Sequence, residues 1–169
     1  LVITSKIVAL AEGRTVDIPP KLSQTAYGKF REKIIKAESN FAIKTSITWL
    51  TIKDGMVMSS AGIDESNADG KIVLLPKNSF RTAVEIRRIL KNKYKIKNLG
   101  VLITDSRIFP LRAGIVGAAL GYAGFKAIRD YRGTKDIFGR VLKMSRTDVG
   151  DSLAAAAVLC MGEGKEQQP

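Results

Sequence analysis

Residues 104–140 combine a carboxylate, regularly placed glycines and single charges among apolar residues. The glycines of this run are Gly114, Gly117, Gly121, Gly124, Gly133 and Gly139. Its charged residues include Asp105, Arg112, Lys126, Asp130, Arg132, Asp136 and Arg140. Glycine is favoured where the backbone turns with positive φ or approaches another group closely. We therefore predict that this run is a poor core element and that it lines the site of a charged ligand.

Asp105 and Ser106 follow the apolar stretch Leu99–Thr104, which predicts a strand buried on both faces and ending at Asp105. In mixed α/β architectures, binding sites often lie where such strands end. A carboxylate and a hydroxyl at that edge are oxygen ligands of the kind that Mg²⁺ or Mn²⁺ prefers. An ordinary turn or helix cap is the alternative interpretation of the pair.

The polar segment Asp64–Gly70 offers a second cluster of oxygen ligands. It superficially resembles a calcium loop that starts at Glu65, but the twelfth position is Pro76, where an EF-hand requires a glutamate. An EF-hand is therefore excluded. A turn rich in Asn and Asp remains the alternative to a metal site.

The chain contains no histidine and one cysteine, Cys160. These counts exclude a Ser-His-Asp triad, a Cys-His pair, a His-ligated metal and an internal disulfide. Carboxylates, hydroxyls, cationic side chains and backbone amides remain, and these serve hard-metal and phosphate chemistry. We expect Cys160 on the buried side of an alanine-rich helix and the protein in a reducing, cytoplasmic setting. Neither the P-loop nor the dinucleotide-binding glycine pattern occurs.

The formal net charge of +12 predicts affinity for polyanions. Much of this charge falls on the polar faces of two amphipathic helices, where simple solvation is the alternative explanation. A basic nucleic-acid-binding module fits the charge, but aromatic residues are sparse near the basic runs. Candidate clamps for phosphate or carboxylate groups are Arg112, Lys126, Arg132 and Arg140.

Hydrophobic periodicity and turn signals predict the elements that must position these side chains, including a hairpin at Asp54-Gly55. The predicted elements are a buried strand over Leu1–Ser5, a helix entered at Ile18–Pro20 and ending near Glu38, hairpin strands over Ile47–Ile52 and Met56–Met58, a strand over Lys71–Leu75, a helix over Ser79–Tyr94, a strand over Val141–Met144 and a helix over Asp148–Met161. We expect an α+β fold with a mixed or antiparallel sheet and packed helices. We expect one domain over residues 1–169, truncated at both ends.

Five blocks in unbroken order resemble the gamma-glutamyl ligase family of the deazaflavin coenzyme F-420. They are SKIVALAEGR (Ser5–Arg14), AGIDESN (Ala61–Asn67), GVLITDS (Gly100–Ser106), the glycine-rich run through DYRGTKDIFGR, and MGEG (Met161–Gly164). The resemblance implies a gamma-glutamyl ligase-like fold and a homodimer. It also implies an enzyme that uses GTP and two divalent cations, Mg²⁺ or Mn²⁺, to join L-glutamate to a carboxylate of a coenzyme F-420 precursor through an acyl phosphate.

The resemblance further implies roles for individual residues. Asp64 and Asp105 would hold one metal, and Ser106 and Glu163 would hold the second. The residues expected to contact the nucleotide are Ser5, Lys6, Asn67, Met161, Gly162 and Gly164. Our own candidates for binding the acidic substrates in catalysis are Arg112, Lys126 and Arg132.

The chain departs from the family pattern near the substrate-facing loop. Arg107-Ile108-Phe109 stands where a segment containing Gly-Arg is usual, and Leu10 stands where many relatives have Lys. These departures leave the implied metal ligands intact. They keep a folate-like acceptor open as an alternative to the deazaflavin.

Overall fold

The computed structural model describes residues 1–109 and 111–166. The chain divides into two compact units, the first of Leu1–Thr4, Asn78–Ser106 and the described residues from Val116, and the second of Ser5–Lys77 and Arg107–Ile115. In chain order the elements are β1 (Val2–Thr4), α1 (Ser5–Ala11), β2 (Thr15–Asp17), α2 (Gln24–Glu38), β3 (Phe41–Lys44), β4 (Trp49–Lys53), β5 (Met56–Ser59), β6 (Lys71–Val73), α3 (Ser79–Tyr94), β7 (Val101–Ile108), β8 (Ile115–Ala123), β9 (Ile128–Asp130), β10 (Arg146–Asp148) and α4 (Val149–Met161). The predicted α+β class is confirmed, while the single-domain assignment stays a prediction.

The first unit is built on a three-stranded sheet in the order β1-β7-β8. β1 is parallel to β7, with Ile3 opposite Ile103, and Val101–Thr104 are buried as predicted. β7 continues to Ile108, so the prediction that the strand ends at Asp105 is wrong. Sheet pairing, which hydrophobicity does not report, extends the strand beyond its apolar part.

The glycine-rich run is in large part strand β8, and its glycines allow close packing of helices. A Cβ atom at Gly117 would lie 2.3 Å from the carbonyl oxygen of Ala154 in α4. A Cβ atom at Gly121 would lie 2.4 Å from the carbonyl carbon of Ser79 in α3. The prediction of a poor core element is therefore wrong here, because the missing side chains are replaced by helix backbone.

Helices α3 and α4 begin as the sequence predicts. Asn78 accepts a hydrogen bond from the backbone N–H of Arg81, 2.9 Å away, and Asp148 accepts one from that of Asp151 at 2.9 Å. Cys160 is exposed, so its predicted place on the buried side of α4 is wrong. Among the described residues, no helix has both the length and the apolar character needed to cross a membrane.

The predicted strand over Val141–Met144 is also wrong. Val141 makes only an isolated bridge with Lys135, and the strand of this region, β10, pairs antiparallel with β9. Arg146 lies opposite Asp130 in that pair. Pairing of a polar, exposed segment leaves no hydrophobic signal in the sequence.

The second unit contains the predicted hairpin as part of a β3-β4-β5 sheet. Lys53 lies opposite Met56, and the two turn residues, Asp54 and Gly55, have φ of 52° and 77°. Two positive φ values are the mark of a type I′ turn, which the Asp-Gly pair favours. Strand β3 was not among the predicted elements.

The core of the second unit lies between α2 and the strands. Its fully or nearly buried members are Ile35, Ala61, Ile63, Ile72 and Leu74. Ser23 caps α2, which therefore begins a few residues after the predicted proline entry. On α2, Ala37 is exposed, whereas Ile35 is completely buried. Phe30 and Ile34 of α2 pack against the same core beside Ile35.

A network of ion pairs joins three parts of the second unit around Glu38. Its carboxylate accepts from Arg14 at 2.6 Å and from Lys53 at 2.9 Å. Lys53 also donates to the backbone carbonyl of Glu38 at 2.9 Å. Burial opposes ionisation of Glu38, but the hydrogen bonds and charges of Lys53 and Arg14 outweigh it and lower the pKa of this carboxyl group.

We expect Glu38→Gln to lower the free energy of unfolding by about 2 kcal/mol at neutral pH, because it leaves two cationic groups without their carboxylate. A lowered folded-state pKa contributes stability above the unfolded-state value, and this contribution is lost as pH falls through the folded-state value. The difference between wild type and variant should therefore shrink below about pH 4.5. Urea denaturation between pH 3 and pH 7 measures it. Glu32→Gln, which breaks an exposed pair with Lys36 on α2, is the control and should change stability less. A difference independent of pH would contradict the assignment.

Candidate active site

The segment that begins at Asp64 is a closed loop in the second unit. The backbone N–H of Asp64 donates to the Val73 carbonyl at 2.9 Å, and the N–H of Val73 returns a bond of 2.8 Å. Within the loop, Asn67 and Asp69 adopt left-handed φ values of 50° and 48°. Asn and Asp tolerate this conformation better than most residues. The loop is thus a turn rich in Asn and Asp, and it holds Asp64, whose role as a metal ligand stays a prediction.

The carboxylate of Asp64 is held by Lys6 and by Ser66. The Lys6 ammonium lies 2.6 Å from Asp64 Oδ2. Ser66 donates to the same carboxylate from its backbone N–H at 2.8 Å and from its hydroxyl at 3.0 Å. Burial opposes the charge on Asp64, but these hydrogen bonds outweigh it and keep its pKa below the usual range. Asp64 is therefore a carboxylate at neutral pH, as a metal ligand must be.

Lys6 comes from the first turn of α1, just after the buried Ser5. Besides Asp64, its ammonium donates to the backbone carbonyl of Ser66 at 2.7 Å and to the Ser66 hydroxyl at 2.9 Å. A cationic group thus sits among three oxygen atoms. The structure brings together a predicted nucleotide-contacting residue and a predicted metal ligand. The surrounding oxygen atoms are hard ligands that suit a divalent cation.

Glu65, next in the loop, is bound to α2. It accepts hydrogen bonds from the Tyr27 hydroxyl and from Arg31 Nε, the latter at 2.9 Å. Burial, together with the neighbouring Glu65 carboxylate, raises the pKa of Tyr27 to about 12. Sequence reasoning missed Tyr27 and Arg31, since only helix periodicity could have placed them near the loop. Their contacts fix the loop against α2.

The first unit contains a second oxygen-rich site. Asp105 and Ser106 lie half-buried in β7. The Ser106 hydroxyl donates to Glu163 Oε1, which follows the end of α4 and lies 57 positions away in the sequence. The two residues implied to hold the second metal are therefore in direct contact. Both side chains supply oxygen atoms that can coordinate a metal, and oxygen ligands suit Mg²⁺ or Mn²⁺.

No group of three or more His, Cys, Asp or Glu side chains is arranged to hold a metal ion within residues 1–109 and 111–166. A divalent cation here would need hydroxyl, carbonyl, water or phosphate oxygens in addition to carboxylates. Mg²⁺ is often bound in this way, by one or two carboxylates together with substrate phosphates. Asp64 and Asp105 belong to different units, and their sharing of one metal stays a prediction.

The predicted nucleotide-contacting segment Met161–Gly164 begins where α4 ends. Gly162 closes the helix with φ of 77°, and its N–H donates to the Val158 carbonyl at 3.0 Å. The backbone N–H of Gly164 donates to the Glu166 carboxylate at 2.7 Å. The N–H of Gly164 is thus bonded to a carboxylate of this chain, and contact of the segment with a nucleotide stays a prediction.

The three cations predicted to bind the acidic substrates differ in their surroundings. Arg132 forms an ion pair with Asp130 at 2.6 Å, and its hydrogen bonds lower the pKa of Asp130 to about 2. Lys126 is exposed in the first unit, and Arg112 is exposed in the second. Binding of an acidic substrate by Arg132 would require exchange with Asp130, and the clamp as a whole stays a prediction.

A family model and several known proteins match this chain and identify the same protein family. A sequence model described as F420-0:gamma-glutamyl ligase matches residues 1–169. A coenzyme F420:L-glutamate ligase of Methanopyrus kandleri is 40% identical over 79% of this chain and 53% of its own length. The corresponding ligase of Methanocaldococcus jannaschii is 39% identical over 89% of the chain and 57% of its own length. That of Methanothermobacter thermautotrophicus is 34% identical over 100% of the chain and 71% of its own length. The chain thus spans little more than half of the first two relatives.

Proposed function

Because the chain belongs to the F420-0:gamma-glutamyl ligase family, we propose that it catalyses GTP-dependent joining of L-glutamate to a carboxylate of a coenzyme F420 precursor. The structural observation that carries this proposal is the contact between Ser106 and Glu163. It assembles an implied ligand pair from two distant sequence blocks. The family assignment also makes a ligase the better explanation than a nucleic-acid-binding module, for which the net charge is the main argument.

Amide formation requires activation, because a carboxylate does not react with an amine in neutral water. In the proposed reaction a carboxylate oxygen of the acceptor attacks the γ-phosphorus of GTP. A new C–O–P linkage forms as the bond to GDP breaks. The glutamate amine then attacks the acyl phosphate carbon, inorganic phosphate leaves, and the amine proton passes to solvent. Little proton transfer is asked of the protein, which is consistent with a chain that has no histidine.

Each unit contributes its own part to this chemistry. Asp64 and Asp105 would hold one divalent cation, and Ser106 and Glu163 would hold the other. The nucleotide would be contacted by Met161, Gly162 and Gly164 of the first unit and by Ser5, Lys6 and Asn67 of the second. Bound Mg²⁺ or Mn²⁺ would supply charge neutralisation on the transferred phosphoryl group. The cations Arg112, Lys126 and Arg132 would bind the acidic substrates.

We also propose that the protein is cytoplasmic and a homodimer, and one surface of the second unit supports the dimer. Strand register places five large apolar side chains on one face of the β3-β4-β5 sheet. They are Phe41, Ile43, Leu50, Ile52 and Val57, which are 38–61% exposed. The paired positions of this face carry no charge in a chain of net charge +12, so a second copy can meet it without like-charge repulsion. Sedimentation velocity tests this, and a monomer at tens of micromolar would contradict it.

The proposed reaction is tested by incubating the protein with Mg²⁺ or Mn²⁺, GTP, L-glutamate and an acceptor, then analysing products by mass spectrometry. We expect a deazaflavin acceptor to gain the mass of a glutamyl residue, with release of one GDP per bond. Parallel reactions with ATP and with a folate-type acceptor test nucleotide and acceptor choice. Multiple-turnover release of GDP in the absence of the acceptor would contradict a ligase.

A further inference from the structure

The ammonium group of Lys6 is completely used by one short segment of the second unit. A lysine ammonium has three N–H donors. Here they face three acceptors, Asp64 Oδ2 at 2.6 Å, the Ser66 carbonyl at 2.7 Å and Ser66 Oγ at 2.9 Å. The lysine side chain is 21% exposed and that of Asp64 is 45% exposed. The cation thus occupies a defined oxygen site rather than a loose surface pair.

These acceptors are a carboxylate, a peptide carbonyl and a hydroxyl, which are all oxygen ligands of hard divalent cations. Asp64 has no oxygen without a donor, because Oδ1 accepts the backbone N–H of Ser66 and Oδ2 accepts both Lys6 and the Ser66 hydroxyl. A second cation in this site would meet the positive charge of Lys6 at short range. Lys6 and a metal ion therefore compete for the same oxygens.

We propose that Lys6 is a built-in cation that fills the oxygen site of Asp64 and Ser66, and that a divalent metal binds there only as Lys6 leaves. The proposal rests on the metal-dependent function proposed above. It adds Ser66 as a metal ligand and gives Lys6 a second position. Because lysine is a point charge on a flexible four-carbon stem, the released ammonium can turn to a phosphate oxygen of the nucleotide.

Competition of this kind links metal binding to nucleotide binding. The metal must displace Lys6, and an anionic phosphate gives the displaced ammonium a new partner. By thermodynamic linkage, each ligand then raises the affinity for the other. The position of the Lys6 ammonium thus reports whether the metal is bound.

The first test measures Mn²⁺ binding in the absence of nucleotide. The electron paramagnetic resonance signal of free Mn²⁺ is the readout. Lys6→Met keeps the length of the side chain and removes the competing charge, so it should bind Mn²⁺ about tenfold more tightly than wild type. Lys36→Met removes one charge from an ion pair on α2 and is the matched control, with affinity within about twofold of wild type. Thermal melting of each variant establishes that it is folded.

The role of Ser66 is tested in the background that lacks Lys6. Lys6→Met/Ser66→Ala should bind Mn²⁺ about threefold to tenfold more weakly than Lys6→Met, because one oxygen ligand is gone. Comparing these two variants separates a ligand from a residue that merely holds Lys6. Equal affinities would remove Ser66 from the site.

The second test follows Lys6 itself through its rate of acylation by an N-hydroxysuccinimide ester, measured by peptide mass spectrometry relative to Lys36. We expect slow labelling of the free protein, several-fold faster labelling with Mg²⁺, and slow labelling again when GDP is added to the Mg²⁺ form. The proposal would be overturned if Lys6→Met left the Mn²⁺ affinity unchanged and if Mg²⁺ and GDP left the labelling rate of Lys6 unchanged. The proposed ligase reaction would not be affected by that result. Failure of Mn²⁺ to bind wild type and Lys6→Met, with or without GDP, would overturn the exchange and the proposed metal dependence together.

Discussion

Asp105→Asn is expected to lower the rate of glutamate ligation by at least about a hundredfold. The residue lies half-buried in β7, beside Ser106, whose hydroxyl contacts Glu163. Asparagine keeps the shape of the side chain but removes the negative charge that would hold the divalent cation. Loss of about 3 kcal/mol of charge stabilisation in the transition state corresponds to this factor. Steady-state rates of GDP formation with glutamate and acceptor present measure the effect.

A charge-matched control is available in the same unit. Glu85 lies on the exposed face of α3 and pairs with Arg88. Glu85→Gln removes one acidic charge far along the sequence from the proposed ligands, so its turnover should stay close to that of wild type. Mn²⁺ with GDP should raise the melting temperature of wild type and of Glu85→Gln, and this shift should be lost in Asp105→Asn. Full activity of Asp105→Asn would exclude Asp105 as a metal ligand.

Gly121→Ala is expected to destabilise the protein by about 3 kcal/mol, a large effect for a single methyl group. The added Cβ would lie 2.4 Å from the Ser79 carbonyl carbon and 2.5 Å from the Phe80 backbone nitrogen. These are backbone atoms at the start of α3, which cannot rotate away as a flexible side chain can. Relief of the clash therefore requires movement of the helix relative to β8. The midpoint of urea denaturation measures the loss.

Gly28→Ala provides the opposite result in the same experiment. Gly28 lies inside α2, and apart from its chain neighbours and the backbone of its own helix no atom lies within 4 Å of the position a Cβ would take. Alanine has the higher helix propensity, so the free energy of unfolding of this variant should rise by about 0.5–1 kcal/mol.

A Gly121→Ala protein as stable as wild type would show that α3 does not approach β8 this closely.

Local signals in the sequence predicted the elements that local interactions specify. Asn78 and Asp148 cap α3 and α4 because a side chain next to a helix start can bond its first free N–H groups. Asp54-Gly55 forms the hairpin turn because its two residues adopt positive φ at little cost. The resemblance to the ligase family likewise rested on short blocks, and the family match over residues 1–169 confirms it.

Local sequence signals did not predict structural features that depend on a distant segment of the chain. Asp105 and Ser106 lie within β7 and do not end it. The backbones of α4 and α3 occupy the space where side chains at Gly117 and Gly121 would lie. No hydrophobic pattern reports a partner strand or a helix that lies tens of residues away.

By itself, the sequence determined the chemistry available to this protein, with oxygen and cationic groups and no histidine. It also determined helices α2, α3 and α4, the hairpin and the family, whereas helix α1 was not predicted. Tertiary structure alone decided that Lys6 fills the oxygens of Asp64 and Ser66, and that Ser106 meets Glu163. The physical reason is that residue types fix which bonds are possible, whereas contacts between segments 57 or 60 positions apart depend on how the whole chain packs.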